Sequence, residues 1–187
     1  MVSMGLAYMH THSDQPIVHQ DLKPGNILLS SIGTQPIYLI TDFGSVFHAK
    51  VTSKIGTQDV ITKVYACLEL LNKKDADPSD PSFDIWALGI ILYELMTLEL
   101  PFGQIKDEDR VKAILNNDRK PLPTSYSVGL IEIVDKLLTL EQSNRPNIMQ
   151  VLQFPLINAE IDKIMSDFIP LTEGTSSKKK DDPYTLE

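Results

Sequence analysis

The chain has 187 residues, 42% hydrophobic and 22% charged, which fits one packed domain or one large lobe and excludes a multidomain assembly and wholesale disorder. Against 17 Lys and Arg stand 25 Asp and Glu, a formal charge of −8 that argues against a surface built for nucleic acid or anionic lipid. The single cysteine, Cys67, rules out an intrachain disulfide and a Cys-based zinc site and fits a reducing compartment.

In chain order, Leu6, Ala7 and Met9 predict a helical face with no capping residue before it. Ile17 and Val18 precede a polar run from His19 to Asn26, and Ile27-Leu28-Leu29 then reads as a short buried strand. Pro36 to Ile40 predicts a second strand after a turn over Ser30 to Gln35. From Gly44 to Leu68 no periodicity persists, so a long loop of the functional kind is expected. Phe83 to Leu98 is apolar on every helical face and belongs in the middle of a core, with Asp84 at its head, where a carboxylate can cap the helix. Three amphipathic helices follow, carried by Val111, Ile114 and Leu115, by Leu130 to Leu138, and by Ile148, Val151 and Leu152, the last stopped by Pro155. Beyond Leu171 there is little to bury, and a disordered tail is expected. The longest apolar stretch, Ile85 to Tyr93, falls far short of the roughly 20 residues that span a bilayer. The first residues form neither a secretory leader nor a myristoylation site, so a cytoplasmic address is expected, with the nucleus as the alternative. His10, His12 and His48 have no metal partners in view and read as surface residues.

The chemistry lies in His19-Gln20-Asp21-Leu22-Lys23-Pro24-Gly25-Asn26 and in Thr41-Asp42-Phe43-Gly44. Two carboxylates, an amide and an amine delivered by neighbouring turns suit phosphoryl transfer from a nucleotide. That reaction needs a base near the attacking hydroxyl, oxygen ligands for a hard cation and positive charge beside the moving phosphate. On this reading Asp21 orients the hydroxyl and accepts its proton, Lys23 offsets phosphoryl charge, and Asn26 and Asp42 offer oxygens to Mg²⁺.

These motifs, in this order, resemble the C-terminal lobe of a eukaryotic protein kinase. The likeness extends through Tyr65 to Glu69, similar to the family's Ala-Pro-Glu segment, through Asp84 to Gly89 at the start of the family's central helix, and through Arg145-Pro146. It implies a mainly α fold, a protein-kinase-like C-terminal lobe with a buried central helix and short β-hairpins carrying the catalytic loop, the N-terminal β lobe being absent. Residues 1–157 are assigned to that lobe, 158–170 to a C-terminal helical extension and 171–187 to the tail. The resemblance further implies a Glu69–Arg145 ion pair at the end of the activation loop, His19 packed against Phe43, and a contact of Asp84 with the catalytic-loop backbone as an alternative to capping. Asp42, Phe43 and Gly44 form the family's Asp-Phe-Gly, and ATP would be held by Lys23, Asn26, Leu28 and Asp42 together with Mg²⁺.

Lys23 resembles the serine/threonine class, and Thr62 aligns with the threonine that bridges the catalytic aspartate and lysine there. The implied partners are ATP and a protein substrate, with no nucleic acid and no membrane; the oligomeric state stays open. Pro121 to Ser127, the helix after it and Arg145-Pro146 are similar to NIMA-related kinases. Departures are Gln20 for the usual arginine, which removes the cation that would read a phosphorylated loop, Cys67 for alanine and Leu68 for proline.

No Gly-x-Gly-x-x-Gly and no strand lysine precede the catalytic segment, so half of a nucleotide site is expected to be missing. A unit-charge pair at 4 Å is worth about 1 kcal/mol in water against about 4 at an effective dielectric of 20, so an open half-site should be very weak or inactive. Two rivals accompany this reading. One is a non-catalytic, pseudokinase-like interaction module or truncated fragment using the 104–117 region and the activation segment. The other is an aminoglycoside-type phosphotransferase, against which Lys23, Asp42 to Gly44, Glu69 and Arg145 all count.

Overall fold

The computed structural model describes residues 1–33, 35–45, 47–48, 62–72, 77, 79–103 and 107–173. The elements run α1 (Val2–Thr11), β1 (Ile17–Val18), β2 (Ile27–Ile32), β3 (Gln35–Ile40), β4 (Phe47–His48), α2 (Leu68–Asn72) and α3 (Ser82–Thr97), then α4 (Asp107–Leu115), α5 (Val128–Leu137), α6 (Ile148–Leu152) and α7 (Pro155–Glu173). The description is mainly α, as the sequence predicts.

A helix apolar on every side has to be surrounded, and α3 is. Phe83, Trp86, Ile90 and Tyr93 enter one core cluster with Phe102, Ala113, Ile114, Val134 and Leu138. Ile85, Leu88 and Ile91 enter a second with Leu6, Met9, Leu22, Leu137, Ile148 and Val151. The helix therefore divides the core, and α4, α5, α6 and α1 reach it from different sides. Its first turn is capped from outside, the Asp80 carboxylate accepting the Ser82 N–H at 2.8 Å. At its far end Leu98 takes φ 58, a left-handed stop in a residue without glycine's freedom. The later helices carry clear start signals: Ser127 Oγ accepts Leu130 N–H at 3.3 Å, and Asn147 with Gln150 forms a reciprocal capping box. Pro155, expected as a stop, also opens the next helix as its first residue.

Gly89 lies where α3 meets α5. A Cβ built there would stand 2.8 Å from Leu138 Cδ2 and 2.9 Å from Leu137 Cβ, and the latter is fixed to the backbone. Gly89→Ala is thus expected to destabilise the chain by about 1–3 kcal/mol, overpacking outweighing a helix-propensity gain of about 1 kcal/mol. Urea unfolding checks the sign: a raised midpoint would mean α5 moves aside freely.

Two strand expectations change. β2 and β3 form an antiparallel hairpin with Ile27 opposite Ile40 and Ile32 opposite Gln35, so Ser30 to Ile32 and Gln35 of the expected Ser30 to Gln35 turn belong to the strands, and Gly33 after β2 takes φ 60. Nor is the first strand buried, since Leu28 is 51% and Leu29 68% exposed. The hairpin pairs with no other strand among the described residues and only its Ile27 and Ile40 end joins the core. A short apolar run fixes strand character but not what covers it.

Part of the expected Gly44 to Leu68 loop has local structure. Phe47–His48 pairs with Ile17–Val18, and Thr62–Tyr65 forms a 3₁₀ turn; residues 46 and 49–61 lie outside the described set. The C-terminal helix continues through Leu171 to Glu173, further than the sequence suggests, and the remaining tail residues, 174–187, lie outside the described set. Among the described residues, no helix is long and apolar enough to cross a membrane.

Candidate active site

The segment between β1 and β2 has few backbone hydrogen bonds of its own, and Asp84 supplies what it lacks. This carboxylate is fully buried near the head of α3 and accepts His19 N–H at 2.8 Å, Gln20 N–H at 2.9 Å and His10 Nε2–H at 2.9 Å. Of the two roles open to it in the sequence, the loop contact is the one observed. The bonds hold Gln20 at φ 63, a left-handed conformation that a non-glycine residue adopts only when its surroundings fix it.

His19, also fully buried, joins the two turns. Its Nε2–H donates to Thr41 O at 2.9 Å, leaving Nδ1 as the acceptor for Asp21 N–H at 3.3 Å, so one tautomer satisfies both contacts. Its ring lies 5.7 Å from that of Phe43, centroid to centroid. Asn26 makes the second link: Thr41 N–H donates to its backbone O at 2.9 Å. Asp42 follows directly, at φ 61, its Oδ1 accepting Gly44 N–H at 3.4 Å.

The two oxygens of Asp21 have different surroundings. Oδ2 accepts Lys23 Nζ at 2.8 Å and Asn26 Nδ2 at 3.2 Å, while Asn26 Nδ2 also donates to Asp21 O at 2.8 Å. Oδ1 is buried with no hydrogen-bond partner among the described residues. An unsatisfied carboxylate oxygen is costly to keep, so the segment holds an acceptor in readiness for a donor. Asn26 donates its amide NH₂ to Asp21 and can offer a cation only its side-chain carbonyl oxygen. Asp42 is exposed, as is Leu28 on the hairpin. Among the described residues no group of three or more His, Cys, Asp and Glu is placed to hold a metal ion. Mg²⁺ needs no such cage, since it is commonly bound through one or two protein oxygens, substrate phosphates and water. Asn26 and Asp42, at the neck of one hairpin, fit that donor set.

Also near the head of α3, Arg145 Nη2 meets Glu69 Oε1 at 3.1 Å. The same guanidinium donates to Ser82 O and Thr139 O, each at 3.1 Å, and lies 5.1 Å over the Trp86 ring. Leu68, in place of proline, opens α2. Burial, followed by the nearby Glu69 carboxylate, raises the Cys67 thiol far above its ordinary range and keeps it neutral. Thr62 begins the 3₁₀ turn, but its side chain is outside the described residues.

Comparison with known proteins decides the family. The profile of the protein kinase domain matches residues 1–157. The chain belongs to the protein kinase family. It is 33% identical over 147 residues to the probable serine/threonine-protein kinase nek3 of Dictyostelium discoideum, 78% of this chain and 13% of that protein. Human serine/threonine-protein kinase Nek10 is 32% identical over 151 residues, 80% of this chain and 12% of that one. Human Nek2 is 31% identical over 158 residues, 83% of this chain and 34% of that one. The likeness to NIMA-related kinases expected from Pro121 to Ser127 and Arg145-Pro146 agrees with these relatives, of whose length the chain spans 12 to 34%.

Three parts of this kinase domain escaped sequence reasoning. His10, expected at the surface, is buried against Asp84 because it lies one helical turn after Leu6, on the core face of α1. Arg110 is buried for the same reason, one turn before Ile114. In both, a polar residue on an apolar stripe was the available clue. Tyr65 donates to Glu94 of α3 at 2.7 Å, and burial followed by that carboxylate pushes its hydroxyl well above the usual tyrosine range. His12 is exposed and stacks on Tyr8 at 4.2 Å; the His48 side chain lies outside the described residues.

Proposed function

We propose that the chain is the C-terminal lobe of a serine/threonine protein kinase, carrying the transfer machinery for moving the γ-phosphoryl of Mg·ATP to protein serine or threonine hydroxyls. The observation that carries this reading is the asymmetry of Asp21, one oxygen tied by Lys23 and Asn26 and the other buried and unpartnered among the described residues. A substrate hydroxyl donating to Oδ1 would be oriented along a fixed direction and could pass its proton there as the new P–O bond forms. Lys23, already beside Asp21, is placed to offset phosphoryl charge. Asn26 and Asp42 supply oxygens for Mg²⁺, and Leu28, on the exposed hairpin face, offers the nucleotide base an apolar floor. When bound, the ion neutralises charge on the phosphates. Thr62 would join Asp21 to Lys23. A buried, unpaired thiol at Cys67 suits a cytoplasmic or nuclear address.

Transfer by this chain alone is expected to be very slow, because its 187 residues contain no glycine-rich lid to exclude water above the phosphates. The second reading, a non-catalytic interaction module, is favoured by the apolar side chains that the hairpin exposes on both of its faces, Leu28 with Leu39 on one and Leu29 with Tyr38 on the other. Thermal unfolding with Mg·ATP separates the two. At a ligand concentration ten times Kd the stabilisation is about 1.4 kcal/mol, a rise of about 3–5 °C. The rise should vanish in Asp42→Asn and persist in Asp21→Asn, which should lose phosphoryl transfer to a protein acceptor. No shift in the unaltered chain would support the interaction module, and transfer surviving Asp21→Asn would refute the base assignment.

A further inference from the structure

Arg110 is only 1% exposed, on the stripe of α4 whose Ala113 and Ile114 enter the first core cluster. Burial strips water from a guanidinium carrying five N–H donors, so the fold has to place acceptors around it. Two of these are main-chain carbonyls: Gly103 O receives Nη1 at 3.2 Å, and Val64 O receives Nη2. Val64 belongs to the Thr62–Tyr65 turn, and its neighbour Tyr65 is held from α3 through Glu94. A cation from one helix and a carboxylate from another thus grip adjacent residues of a turn that lies just before Glu69 and its ion pair.

Resting on the kinase reading above, we propose that Arg110 is a positioning residue for phosphoryl transfer. Through the Val64 carbonyl it fixes the backbone of the Thr62–Tyr65 turn that leads into Glu69. Arginine suits the task because its planar fork reaches two separate carbonyls at once; lysine concentrates its charge and donors at a single nitrogen. A leucine at this position would fill the apolar space and lose both bonds. The turn would then be released while the core remained packed.

Amide hydrogen exchange on the whole chain, read by segment without nucleotide, tests this with Arg110→Leu and Arg110→Lys. In Arg110→Leu, exchange over residues 63–72 should quicken about tenfold or more. Residues 84–97 and the fluorescence of Trp86, the only tryptophan, should stay unchanged. Arg110→Lys should recover part of the protection. Unchanged exchange over 63–72 overturns the proposal, and so does a uniform rise along the chain, which would make Arg110 an ordinary core residue. If Arg110→Leu does not fold, Arg110→Lys decides alone: a rise confined to 63–72 supports the proposal, and no rise or a uniform one overturns it. Failure here is distinct from a missing Mg·ATP shift, which would instead strike the kinase reading.

Discussion

Replacing Asp84 by alanine is expected to lower the unfolding free energy by about 3–5 kcal/mol, a large share of the 5–15 kcal/mol typical of a domain. Its buried carboxylate accepts from His10, His19 and Gln20, and removing it strands three donors where water has poor access. Asn would restore less than half of the loss, since it keeps one acceptor oxygen but turns an NH₂ group toward donors. Urea denaturation at constant m-value reads the loss directly. A cost below about 1 kcal/mol would show that the loop holds its shape without the carboxylate.

Arg145 should give a loss of similar size for a different reason. Its guanidinium meets Glu69, three backbone carbonyls and the face of Trp86, with its side chain 1% exposed. Arg145→Met keeps much of the apolar stem but leaves Glu69 as a partly buried carboxylate without its cation, at an expected cost of about 3–5 kcal/mol. Adding Glu69→Leu should return about half of that, because a buried pair costs less to replace whole than to break. The double-mutant cycle measures the coupling, and strict additivity would mean that the two charges do not stabilise one another.

The central helix was legible because Phe83 to Leu98 is apolar all round, and three later helices because their apolar spacing is regular. The grouping of Asp21, Lys23 and Asn26 was legible through side-chain chemistry, a carboxylate, an amine and an amide at fixed spacing, and the structure hydrogen-bonds the three together. The missing information was chiefly tertiary. Nothing near Leu28 and Leu29 in the chain says that their hairpin stands open. The buried places of His10 and Arg110 depend on partners far away in sequence, Asp84 and Val64. Helical spacing put both on apolar stripes, but it could not supply the acceptors that make burial tolerable. β4 and the Thr62–Tyr65 turn were too short to leave a periodic trace.

The dependence of the His19–Asn26 segment on Asp84 also means that the proposed chemistry is not portable. A peptide carrying His19 to Asn26 would keep Asp21, Lys23 and Asn26 yet lose the anchor that holds Gln20 left-handed, and Asp21 would sample many directions. Grafting this machinery onto another scaffold would require a buried acceptor beneath the loop as well as the motif itself.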